Sequence, residues 1–143
     1  MSKPARHFRD PQSAAKLDCD ALLADAAALI GPLPAFLDGV EIATKLPAAA
    51  PPGRLLVIRS GPWIEYNAPL TAVARIRGVA WSLDADEAWD IASWFHASLL
   101  AYPGDADVVS YRNELGPERG MDSDYDTPIA AFTVRARMRP AIL

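Results

Sequence analysis

Two histidines, His7 and His96, and one cysteine, Cys19, are the chain's whole supply of the side chains that most often serve as bases, soft metal ligands or strong nucleophiles. A nucleophile–base arrangement needs Ser or Cys beside a His that a carboxylate orients. Asp90 and Ser93 lie near His96 in sequence, but near neighbours on a helix surface do not form a triad by themselves. His7 falls in an N-terminal arm. His96 is therefore expected to be structural or solvent-facing. One cysteine excludes an internal disulfide and any multi-cysteine zinc site. The run Asp122-Ser-Asp124-Tyr-Asp126 opens like a calcium-binding loop. That loop needs Gly at its sixth position and Glu at its twelfth, and Thr127 and Thr133 stand there. A solvated acidic loop that needs no metal is expected instead. Gly116-Pro-Glu-Arg-Gly120 lacks the Lys-Ser/Thr ending of a phosphate-cradling loop, and Pro117 removes an amide donor. No cofactor is expected, and the chain does not read as an enzyme.

The arginines are more informative. Arg75 and Arg77 share one face of a long strand candidate, and Arg135, Arg137 and Arg139 share one face of another, because alternate residues of a strand point the same way. Such rows can meet phosphate or the carboxylates of a protein. The net charge is −4, from 14 basic and 18 acidic residues, so protein acids are the expected partners, with Asp122, Asp124 and Asp126 of a neighbouring copy as one source. Four tryptophans are many for 143 residues. Trp81, Trp89 and Trp94 cluster around one helix start and read as core edge or subunit interface, where Trp is enriched.

These side chains must be carried by a fold. A chain of 143 residues can bury about 68% of its unfolded surface and needs no metal or disulfide to fold. The composition, 51% apolar and 22% charged, is that of a globular protein. Thirteen prolines imply long connections. No stretch approaches the roughly 18 apolar residues of a membrane span, and a protein made in the cytoplasm, with no membrane partner, is expected.

Residues 1–10 read as a flexible basic arm, and 11–143 as a single domain. Asp10-Pro11 starts a helix over 11–30, with Ala15, Cys19, Leu22, Ala26 and Leu29 on one stripe. Cys19 on that stripe is expected to be buried and unpaired. Val40–Thr44 is a short strand and Lys45–Gly53 a linker-like loop. Leu55–Ile58 is a strand that Gly61-Pro62 turns. Leu70–Trp81 is the longest strand. A second helix covers Asp84–Tyr102, with capping-box spacing between Asp84 and Glu87 and a core stripe of Ala88, Ile91, Ala92, Phe95 and Leu99. Val108–Leu115 is a strand that Gly116-Pro117 breaks, 118–127 a polar loop, and Ile129–Arg139 a half-exposed strand with Phe132, Val134, Ala136 and Met138 inward. Strands in neighbouring groups imply an α+β fold, a mostly antiparallel sheet with two main helices on one face.

The order of several short segments resembles the tail terminator proteins of long-tailed, siphovirus-type phages, particularly those of actinobacteria. The segments are Val40-Glu-Ile-Ala-Thr-Lys-Leu-Pro47 and Leu56-Val-Ile-Arg-Ser-Gly61. A strand ending Val79-Ala-Trp81 follows, with a helix led by Asp84 to Ala88 directly after it. Gly116-Pro117 and Pro128-Ile-Ala-Ala-Phe-Thr-Val-Arg-Ala-Arg137 complete the set. The resemblance spans about residues 34–139 and departs at Pro62 and Trp63, where a second glycine and a polar residue belong. It implies a structural virion protein of the tail and neck region. Such a protein forms a hexameric ring that caps the tail tube, joins it to the head-side connector, and lets the genome DNA pass through its lumen without specific binding. A head-completion or stopper subunit is the alternative within that class, and a small ligand-binding α+β domain the alternative outside it.

Overall fold

The structure, a computed structural model, describes residues 7–30, 33–46, 53–67 and 71–141. Helix α1 spans Pro11–Ile30. The Asp10 carboxylate accepts from the backbone N–H of Gln12 and of Ser13, each at 3.3 Å, which satisfies donors the first turn leaves orphaned. Of the expected stripe, Ala15 and Cys19 are buried, Leu22 packs half-buried against the core and Ala26 is half-buried, while the side chain of Leu29 lies outside the described residues. Off the stripe, Ala24, Asp25, Ala27 and Ala28 face solvent.

Helix α2 spans Ala85–Leu100, and all five expected stripe residues are fully buried. Asp84 caps it, accepting from Asp86 N–H at 3.1 Å. The reciprocal half of the capping box does not form. Glu87 is held instead by the fork of Arg54, at 2.8 and 3.1 Å, and by Ser82 Oγ at 2.8 Å. A bidentate, charge-assisted pair outcompetes one backbone amide.

Five strands form the main sheet in the order β2–β3–β4–β6–β5. They are β2 (Glu41–Ala43), β3 (Leu55–Asn67), β4 (Thr71–Trp81), β5 (Val108–Asp122) and β6 (Thr127–Met138). Strand β2 runs parallel to β3, and every other pairing is antiparallel. A small ribbon pairs β1 (His7–Phe8) with β7 (Pro140–Ala141), and residues 1–6 of the expected arm lie outside the described residues. The fold is α+β with both helices on one face of the sheet, as the sequence implies. Among the described residues no helix is long and apolar enough to cross a membrane.

Two expected interruptions are corrected. Gly61-Pro62 does not turn the chain, and Gly116-Pro117 does not break it. Each lies inside a long strand where the register shifts, between Ser60 and Trp63 and between Leu115 and Glu118. Proline lacks an N–H and glycine tolerates distortion, so the pair suits a bulge as well as a turn. In consequence the 118–127 loop shrinks to a tight turn over 123–126, with Asp126 left-handed at φ 49.

The main core lies between the sheet and the helices. There Leu56 and Ile58 of β3, Ile76 and Ala80 of β4, and Phe132, Val134 and Met138 of β6 meet Ile91, Phe95 and Leu99 of α2. A smaller apolar cluster sits on the opposite, helix-free face. Leu55, Val57 and Trp81 are its buried members, with Leu46, Val79, Tyr125 and Ile129 packed around them.

Candidate functional site: the open face of the sheet

The helix-free face is divided. Alternation along the strands places Val57 and Arg59 of β3 on it, and Arg75, Arg77, Val79 and Trp81 of β4. Strand β6 adds Thr133, Arg135 and Arg137, and β5 adds Arg112. One half is the apolar cluster around Trp81. The other is a belt of arginines in facing register: Arg59 opposite Arg77, Arg75 opposite Arg135, and Arg135 opposite Arg112 on its other side. Like charges directly opposite across a ladder are destabilising, so the belt calls for anions.

Glu114 supplies part of the answer from within the chain. Its carboxylate accepts from Arg75 Nε and from Arg135, at 2.9 Å for the latter. The Arg75 guanidinium, and then that of Arg135, hold Glu114 below the usual carboxylate range. No ion pair among the described residues engages Arg59, Arg77, Arg112 or Arg137. Arg139 lies past the end of β6 and donates from Nε to the Asp105 carbonyl at 3.0 Å.

Of the acidic candidates, Asp122 ends β5 and accepts from Tyr125 N–H at 2.9 Å, while Asp124 and Asp126 are exposed on the turn. They stand at the far end of β6 from Arg135, eight residues away, or roughly 27 Å along a strand. Within one chain the two sets do not meet. The acidic turn shares its end of the sheet with Asp84 and Asp86, joined through the Arg119–Asp86 ion pair at 2.8 Å and the Tyr125–Trp81 ring contact at 6.0 Å. The molecule therefore has an acidic end and a basic belt.

Two grooves indent this face. One, of about 350 Å³, is lined by Arg59, Ser60, Gly61, Arg75, Arg77 and Thr133. The other, of about 200 Å³, is walled by Leu46, Val57, Val79 and Trp81 and ends at Arg59 and Arg77. Trp81 is 5% exposed, and its buried Nε1 has no acceptor among the described residues.

On the helix side, a polar cluster joins α1 to β5 and the segment before it. Asp18, 4% exposed, accepts from the Tyr111 hydroxyl. Asp105 accepts from the Tyr102 hydroxyl and from the amides of Asp107 and Val108, each at 2.9 Å. Burial, and next the hydrogen bond with Asp105, push Asp18 up to about 7. Burial pushes Asp105 the same way but is outweighed by its hydrogen bonds from Asp18, Val108, Asp107 and Tyr102, and its net direction is down. Through the Tyr111 hydroxyl, Asp18 ties α1 to β5, which is a structural role.

His96 donates from Nε2 to Asn113 Oδ1 at 2.9 Å and its ring lies 5.4 Å from that of Phe132. Trp89 is covered by the Arg119 guanidinium at 5.2 Å, and Trp94 meets Phe95 edge-on. Among the described residues no three His, Cys, Asp or Glu side chains gather as a metal site.

Arg59, Arg112 and Glu114 belong to the belt but are not singled out by the sequence. Arg59 and Arg112 are found by the cross-strand register, which sets them opposite Arg77 and Arg135 and which the sequence alone does not give.

The sequence matches no protein-family model and no curated protein. Its fold is shared with a chain described as the virion of a native gene transfer agent particle. The likeness has a TM-score of 0.56 and covers 92% of this chain and 95% of that one, at 18% sequence identity. At that identity the likeness is one of fold.

Proposed function

We propose that this chain is a structural virion protein, a tail terminator that forms a ring on the end of a tail tube and meets the head-side connector. The observation that carries the reading is the fold shared over nearly the whole chain with a chain of a native gene transfer agent virion. The open face supports it. A belt of arginines with like charges facing across the ladder needs acids from another molecule, and a copy of this acidic chain supplies them. In a ring, Arg75, Arg77, Arg135, Arg137 and Arg139 of one subunit lie toward the acidic end of the next, which carries Asp122, Asp124 and Asp126. A closed ring repeats one heterologous contact with no leftover surface. Six subunits are expected, the particle is its location, and DNA passes its lumen without base-specific contacts.

Imaging of the assembled particle tests this. The expected result is one six-fold ring of this chain between tail tube and head connector. Placement in another neck ring would make it a head-completion or stopper subunit. A monomer holding a small ligand would overturn the class.

A further inference from the structure

One side chain is far more exposed than its chemistry favours. Leu83, between β4 and α2, is 81% exposed, the most open large apolar residue among those described. It does not sit on a loose loop. Ser82 before it is buried and bonded to Glu87, and Asp84 after it caps α2. Carboxylates flank it at Asp84 and at Asp86, the latter paired with Arg119, and the hollow beside it holds Asp38 and the Arg54–Glu87 pair. Leu83 is thus a fixed apolar knob with acids around its base.

The smaller groove on the open face has the opposite character. Its walls are Leu46, Val57, Val79 and Trp81, and its far end is Arg59 and Arg77. At about 200 Å³ it falls below the roughly 300 Å³ at which small-molecule sites begin, and it suits one aliphatic side chain. Aliphatic walls do not suit a phosphate backbone.

We infer that the acidic end of one copy docks on the open face of another, with Leu83 seated in the groove of Leu46, Val57, Val79 and Trp81 and the acids beside it over Arg59 and Arg77. The occupant is a second copy because knob and socket match in both apolar and charged parts and stand on one chain. Where each copy gives its knob to one neighbour and its socket to another, the contact is heterologous and can close a ring. This inference rests on the ring reading and specifies its interface.

The test uses the full chain. Leu83→Arg changes an exposed residue and leaves the core intact, and sedimentation velocity reads its assembly against the unaltered protein. A loss of about tenfold or more in self-association is expected, since a leucine's burial is removed and a repelling charge added. In parallel, protein carrying Leu83→Cys is mixed with protein carrying Leu46→Cys under mild oxidation, with Leu17→Cys on α1 as the control partner. A disulfide between 83 and 46, and none between 83 and 17, supports the contact. If the unaltered protein forms rings, Leu83→Arg forms them equally and no 83–46 link appears, the docking is overturned while the ring reading stands. If the 83–46 link forms only in a closed pair of chains, the contact stands and the ring reading falls. A chain that stays monomeric and unlinked overturns both.

Discussion

Gly78 lies directly opposite Phe132 across β4 and β6, and the phenyl ring fills the space a side chain on Gly78 would need. A Cβ there would come within 2.6 Å of ring atom Cε2. Phe132 is fully buried and cannot retreat. Gly78→Ala is therefore expected to cost about 1–3 kcal/mol through overpacking. Adding Phe132→Leu should recover part of that loss, so that the two changes combine less than additively. Urea unfolding of the single and double variants measures this, and full additivity would count against it.

Asp18 makes stability fall as pH rises, opposite to an ordinary ion-paired carboxylate. Its folded-state value of about 7 stands above the ordinary 3.8. Between those values the folded state holds a proton that the unfolded chain gives up, so stability is greatest near pH 4 and declines toward about pH 7. Asp105, shifted downward, acts below that window. Melting temperatures of the native protein should drop from about pH 4 to about pH 8, and Asp18→Asn should flatten the slope while keeping an acceptor for Tyr111. Parallel slopes in the two proteins would refute the tie.

Glu114 holds two arginines of the belt, and Glu114→Gln removes their shared anion. The variant should melt earlier than the native protein in dilute buffer. The gap should close as salt is added, because exposed charges are screened over about 10 Å at 0.1 M ionic strength. A gap that does not respond to salt would mean that Glu114 acts through packing.

Cys19 is fully buried, and burial, followed by the charges of Asp18 and Asp20, pushes its thiol up. Thiolate is the reactive form. Labelling by a thiol reagent should be slow in native buffer and should accelerate only as denaturant opens the fold. Rapid labelling of folded protein would place the thiol at the surface.

Much of the fold is legible in residue patterns, and the misreadings share a cause. Stripes at helical spacing located α2 in full, and the alternation around Val134 set the phase of β6 correctly, so Val134→Asp would bury an unpaired charge. The period of a helix or strand reports packing directly. Both Gly-Pro pairs misled because proline and glycine signal a departure from regular geometry without saying whether the chain reverses or bulges. Arg112 and Glu114 were missed for a different reason: they lie within the strand read over Val108–Leu115, but the register slips between Asn113 and Leu115, so no regular alternation sets them apart. Asp18 stayed hidden for another reason. A buried carboxyl is stabilised by Tyr111 and Asp105, which are about ninety residues away in sequence, and no local spacing encodes such a meeting.

The irregularity of β5 has a consequence for how the chain keeps as a concentrated stock. This strand forms one border of the sheet and runs for 15 residues, long enough to template strand addition by a partly unfolded neighbour. Its register slips at three points, and Pro117 has no N–H to offer. The regular stretches left are Ser110–Asn113 and Glu118–Asp122, each shorter than the six or seven residues that a steric zipper needs. A border broken in this way resists fibril growth without any covering element, and leaves association to side chains that can come apart again.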